Sequence, residues 1–235
     1  MTLEELKASI HDYLGQSTTL YRFVAFIHPT IHRRWVRKKT CLLIDGYPRC
    51  ANTFAYHGFL EAHNISVENS SHTNIAHHTH QPAQILRGVE LGVPTLVLIR
   101  EPIGCVSSLI VRNSKLSIEY ALKRYVKFYK KVIKVKNKTT VGSFDQVVSN
   151  YGRVIKKVNS KFEINFEIPS HTKNFEKKVF DRINWINKKT EKGSRKRISK
   201  PDNKKEKEKE KLKVKIENSR WVEEAKKIYR KMIEA

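Results

Sequence analysis

The segment CLLIDGYPRCANTFAYHGFLEAHN, residues 41–64, most restricts what this chain can fold into. Cys41 to Ile44 is a short unbroken apolar run of the kind that fills a buried strand. It runs through Asp45 into GYPRCANTF, residues 46–54, and then into TFAYHGFLEAHN, residues 53–64, a helical stretch. A strand, a small-residue loop and a helix in succession form the first unit of a parallel α/β sheet. A plain turn needs only one or two small residues. Several in a row let backbone N–H groups approach an anion at a helix start, where the dipole favours negative charge.

The pattern recurs downstream. Val93 to Ile99, preceded by Gly92, predicts a second buried strand, and Pro102 to Asn113 a helix opening on proline. Ser117 to Val135 predicts a helix with Ile118, Leu122, Tyr125, Tyr129 and Val132 on one face; Tyr120, Tyr125 and Tyr129 read as core. Thr139 to Phe144 predicts a third strand, and Asp145 to Phe162 one amphipathic helix. Alternation of this kind predicts an α/β fold: one parallel sheet flanked by helices, with right-handed crossovers.

The chain reads as one domain, residues 1–235, with its core at 41–162. Leu3, Leu6, Ile10 and Leu14 predict a helix ahead of the core, and HRRWVRKKT (32–40) a basic lead-in. Phe175, Val179, Ile183 and Ile186 predict another helix after it. Residues 188–211, almost free of apolar side chains, predict a loop followed by a solvated helix. Residues 218–235 regain an apolar stripe and predict a docked C-terminal helix.

The net charge of +24 is uneven: residues 1–100 hold 10 Lys/Arg against 7 Asp/Glu, and the rest hold 37 against 16. Such a field attracts anions, although charge runs are often only solvated faces. No apolar stretch is long enough to span a bilayer. The start, MTLEELKASIHDYL, carries acids where a signal peptide has a basic region. A cytoplasmic protein is expected. Cys41, Cys50 and Cys105 are an odd number without metal-ligand spacing, which disfavours a disulfide framework or a zinc site. HHTH (77–80) lacks a neighbouring carboxylate or cysteine to complete a metal site.

The loop is not a Walker A motif, because no Gly-Lys-Ser/Thr occurs in the chain. Arg49 offers a fixed cationic fork, Thr53 a hydroxyl, and Phe54 a flat face able to stack on a base. YPRCANTF resembles the 5′-phosphosulfate loop of sulfotransferases that use 3′-phosphoadenosine-5′-phosphosulfate (PAPS). LIREPIGCVSS resembles that family's second signature, an arginine at a strand end followed eight residues later by a serine; here these are Arg100 and Ser108. HTHQP resembles its histidine segment. The chain looks closest to the bacterial-type members.

The resemblance implies a P-loop-like sulfotransferase architecture, PAPS as donor, and no metal. It implies that Arg49, Cys50, Ala51, Asn52, Thr53 and Phe54 form the donor loop, and that Arg100 and Ser108 hold the 3′-phosphate. It further implies His80 as base toward a hydroxyl or amine acceptor, small molecule or glycan, with Arg49 sharing the catalytic role. Ser107 is a rival to Ser108, and His72, His77 and His78 are rivals to His80. Arg49 stands where better-known members have lysine, and Cys50 and Ala51 where they have Ser and Gly. The family's late basic phosphate loop has no clean match, GSRKRISKP (193–201) being the nearest. Two alternatives remain at this stage: a non-catalytic polyanion-binding protein, marked by steep salt dependence, and a donor-binding homologue without turnover. Nucleic acid is disfavoured as a partner.

Overall fold

The computed structural model describes residues 2–66, 74–190 and 203–234. Three helices come first, α1 (Leu3–Leu14), α2 (Thr18–Ile27) and α3 (Pro29–Arg34). The sheet then assembles through β1 (Leu42–Gly46), α4 (Asn52–Ala62), β2 (Ile75–His77), α5 (Pro82–Glu90) and β3 (Thr95–Ile99). It continues with α6 (Pro102–Arg112), α7 (Ile118–Val132), a 3₁₀ segment (Ile133–Lys138) and β4 (Thr140–Ser143). Five helices follow: α8 (Phe144–Ser149), α9 (Tyr151–Phe162), α10 (Lys173–Thr190), α11 (Asn203–Glu217) and α12 (Val222–Ile233).

The four strands are all parallel, in the order β2-β1-β3-β4. The α/β class with helices around a parallel sheet is therefore the one the alternation implied. Successive strand residues face opposite sides. Leu43 and Thr95 lie against Gly88 of α5, whereas Leu96 and Leu98 lie with Val154 of α9 around Gly142. Leu42, Leu43, Ile44, Leu96, Val97 and Leu98 are fully buried. A sheet covered on both faces needs such continuous apolar strands.

Local chemistry sets the helix ends. Thr2 and Glu5 form a capping box on α1, and Glu5 also accepts the Ser117 N–H at 2.8 Å, tying α1 to the start of α7. Glu101 caps α6 by accepting from the N–H groups of Ile103 and Gly104, ahead of Pro102.

Some sequence expectations change, and one strand goes unmarked in the sequence. The helix expected over 145–162 is two helices, because the Asn150 side chain accepts the Arg153 N–H and starts α9 afresh. Phe144 opens α8 rather than ending a strand, since Ser143 and Gln146 form a capping box just before it. Strand β2 carries only three residues, too few for a periodic signal. Tyr125 and Tyr129 are core, while Tyr120 is part-buried and bonds Asp12. In the C-terminal part, α11 is largely exposed, and α12 buries Val222, Ala225, Ile228 and Met232.

Candidate functional site

The strand order places a crevice between the loops that leave β1 and β3. From β1 the chain turns to β2 on one side, and β3 then enters on the other. Open parallel sheets bind ligands at such a reversal, outside the strands' carboxyl ends. The β1–α4 loop, residues 47–51, is anchored from below. Tyr47 is buried and its hydroxyl donates to Ala121 O at 2.9 Å. Asn52 Nδ2 donates to Tyr47 O at 3.0 Å, and Cys105 Sγ donates to Pro48 O at 3.1 Å. Cys50 is buried, with its sulfur 3.6 Å from Cys105 Sγ and 3.5 Å from Tyr129 Oη.

The loop backbone alternates in hand. Arg49 has φ of 73° and Ala51 φ of 67°, with Cys50 between them outside the positive-φ region. Alternation of this kind gathers successive N–H groups around one concavity. Among the described residues, the N–H groups of Arg49 and of residues 50–54 have no acceptor, and α4 has no side-chain N-cap. The dipole of the eleven-residue α4 starts at the same place.

Arginines surround this concavity. Arg49 Nε donates to Ser108 Oγ at 3.0 Å. The Ser107 hydroxyl instead donates back to Gly104 O, so of the two serines it is Ser108 that meets the loop. Burial, then the nearby charges of Arg112 and Arg100, push Arg49 down to about 10. The Arg100 guanidinium carbon stacks 3.8 Å from the centre of the Phe144 ring. Ion pairs in the described residues engage Arg87, Arg124, Arg182 and Arg220, but neither Arg49 nor Arg100. Arg49, desolvated and outside every ion pair of the described residues, leaves its charge available to an anion.

No protein-family model, curated protein or solved structure matches this chain. What the site can do therefore follows from its own geometry.

His80 sits across the β1 end from Arg49. Its Nδ1 lies 2.8 Å from Gly46 O, which can only accept, so Nδ1 carries the proton and Nε2 the free lone pair. The Asp45 carboxylate, fully buried, lies 3.4 Å from the same Nδ1. It accepts the Thr79 N–H and hydroxyl, each at 2.9 Å, and the Gly46 and His80 N–H groups. Burial pushes the Asp45 carboxyl up, but the bonds to His80, Gly46 and Thr79 outweigh it and hold it below the usual carboxylate value. An anion thus stands behind a histidine whose other nitrogen is open, the arrangement of an oriented general base. Asp45 was missed in the sequence, although an acid closing an apolar run is a readable signal.

The rival histidines have other partners. His78 Nε2 is 3.2 Å from Thr53 Oγ1, and its Nδ1 is 2.7 Å from His77 Nδ1. His77 stacks on Tyr56 with ring centres 3.8 Å apart. Burial pushes both histidines down, His77 to about 3. His72 lies outside the described residues, as does the 193–201 segment.

The remaining loop side chains turn inward. Phe54 is buried against Tyr151, His171 and Phe180, and Asn52 is buried, leaving Cys50, Asn52 and Phe54 to reach the concavity only through their N–H groups. A cavity of about 280 Å³ opens beside His80, between α1 and α7. A broader groove of about 720 Å³ between α7 and α12 touches none of these groups. Among the described residues, no cluster of three or more His, Cys, Asp or Glu could hold a metal, and no helix is long and apolar enough to cross a membrane.

Proposed function

We propose that this chain is a sulfotransferase of P-loop-like architecture that takes PAPS as donor and modifies a hydroxyl or amine acceptor. The observation that carries the reading is that two distinct devices lie along the carboxyl edge of one parallel sheet. One is an anion cradle of unpaired N–H groups with Arg49, Ser108 and Arg100; the other is His80 with Nε2 freed by Gly46 O and backed by Asp45. An anion-binding protein needs only the first. The donor supplies an activated sulfuryl group.

In this reading Arg100 and Ser108 orient the donor through its 3′-phosphate. The N–H groups of residues 49–53 and the Arg49 guanidinium stabilise charge on the 5′ side. His80 Nε2 removes the acceptor proton, and Asp45 stabilises the imidazolium that results. Arg49, with its charge held by so strong a base, acts as an electrostatic group and not as a proton donor.

Calorimetry with adenosine 3′,5′-bisphosphate tests the donor site. Wild type should bind, and Arg100→Ala should lose about 1.5–3 kcal/mol, the worth of a charge-assisted bond. Absence of wild-type binding overturns the reading. His80→Ala should keep bisphosphate affinity and lower turnover by about 10²–10⁴ with labelled donor.

A further inference from the structure

The cavity beside His80 is lined by Asp12, Tyr13, Gln81, Tyr120, Arg124 and Phe128, with Lys123 and Lys127 at its edge. Arg124 is the unusual member. Its side chain is only 16% exposed, and its Nε lies 2.8 Å from Asp12 Oδ1. Its Nη groups hydrogen-bond to no acceptor among the described residues. Asp12 is saturated in turn, by Arg124, by the Tyr120 hydroxyl at 2.6 Å and by Gln81 Nε2 at 3.1 Å. A guanidinium whose Nε is occupied and whose two Nη groups are not offers a two-pronged fork to a planar oxyanion.

We propose that this cavity is the acceptor site and selects a hydroxylated carboxylate of single-ring size, its carboxylate on the Arg124 Nη groups and its ring between the aromatic walls. This rests on the reading of His80 as the acceptor base. Size argues for one ring, since about 280 Å³ lies at the small end of ligand cavities. Tyr13, Tyr120, Phe128 and Pro82 offer apolar faces to that ring. Charge argues for a monoanion. Asp12 offsets Arg124, which weakens the site for a dianion such as phosphate. Lys123 and Lys127, one turn apart on α7, leave a net positive rim, and Asp12 is the one acid in the lining.

Ligand-observed NMR titration of the donor-free protein tests this, with 4-hydroxybenzoate and glucuronate as probes beside their methyl esters. The first pair represents aromatic acids and the second sugar acids. One acid should bind, its ester about tenfold more weakly, and Arg124→Gln should remove that preference. Should Arg124→Gln fail to fold, the surface double variant Lys123→Glu/Lys127→Glu decides: it should weaken the acid severalfold and leave the ester unchanged. Esters binding as well as acids, neither acid binding at millimolar concentration, an acid preference surviving in folded Arg124→Gln, or one undiminished in the double variant would each overturn the proposal. A parallel titration with adenosine 3′,5′-bisphosphate keeps the two readings separable. Bisphosphate binding without acid binding sinks only the acceptor assignment, and acid binding without bisphosphate sinks only the donor reading.

Discussion

Ala51 holds a left-handed conformation, φ 67° and ψ 18°, at the step where the loop enters α4. An L-residue in this region costs about 1–2 kcal/mol, because Cβ crowds the following carbonyl oxygen; glycine escapes the cost. The half-buried Ala51 methyl returns at most about 0.8 kcal/mol through burial. Ala51→Gly should therefore stabilise the protein by about 0.5–1 kcal/mol, raising the melting temperature by about 1–4 °C in calorimetry. Bisphosphate affinity should stay the same or improve, since the N–H groups keep their alternation. A lower melting temperature would show that the methyl's packing outweighs the strain. Gly46 has the opposite constraint: a Cβ there would sit 2.1 Å from Leu98 O, so any side chain prises β1 from β3 at the mouth of the crevice. The neighbouring Arg49 carries the same positive φ as Ala51 and has no glycine-like escape. Its guanidinium is held by the Ser108 hydroxyl.

At the scale of elements, the face between α4 and β2 is packed with histidines that the fold keeps neutral. Burial, with Arg182 nearby, pushes His57 down to about 4; burial pushes His77 to about 3 and His78 down as well. In the unfolded chain each protonates near 6.5. Between that value and the lowered ones, the unfolded chain binds more protons than the folded one. Stability is thus complete above pH 6.5 and falls as pH drops, by up to about 1.4 kcal/mol per pH unit for each histidine. Urea midpoints should fall from pH 7 to 5, and His57→Phe, which replaces a ring whose Nδ1 has no partner, should remove one proton from that slope. An unchanged slope would show that His57 protonates in the fold. These elements also show what the sequence could carry. The unit β1–loop–α4 was legible because an apolar run, Gly46, Pro48 and a helix start are all local signals. Strand β2 was not, being three residues ending in the polar HHTH. Asp45 closes that apolar run in plain view, but its pairing was not legible, because its partners Thr79 and His80 lie 34 and 35 residues away. The wall of the cavity beside His80 was hidden for the same reason: Asp12 of α1 meets Arg124 of α7 only in the folded chain.

Across the whole molecule, 47 Lys/Arg face 23 Asp/Glu, so at least half of the cations can have no carboxylate of their own. Exposed pairs such as Lys115–Glu4 and Arg220–Glu119 contribute little each, whereas like-charge repulsion is summed over the surface. Sodium chloride screens both, with a Debye length of about 10 Å at 0.1 M. Because the excess is one-signed, repulsion loses more than pairing does, and the melting temperature should rise as chloride goes from about 0.01 to 0.3 M. A falling melting temperature would show that the surface pairs outweigh the excess. The anion cradle responds differently, because Arg49 is desolvated and its field is less screened than that of a surface lysine. A ligand that binds only the folded state stabilises it by RT ln(1 + [L]/Kd). Adenosine 3′,5′-bisphosphate should therefore add its own rise on top of the salt-dependent one, and that rise should persist at 0.3 M chloride. Arg100→Ala should lose most of the nucleotide-dependent rise and keep the salt-dependent one. Should the rise vanish with salt in wild type, or a generic polyanion such as heparin reproduce it in Arg100→Ala, the crevice would be no more than one part of a diffuse cationic surface.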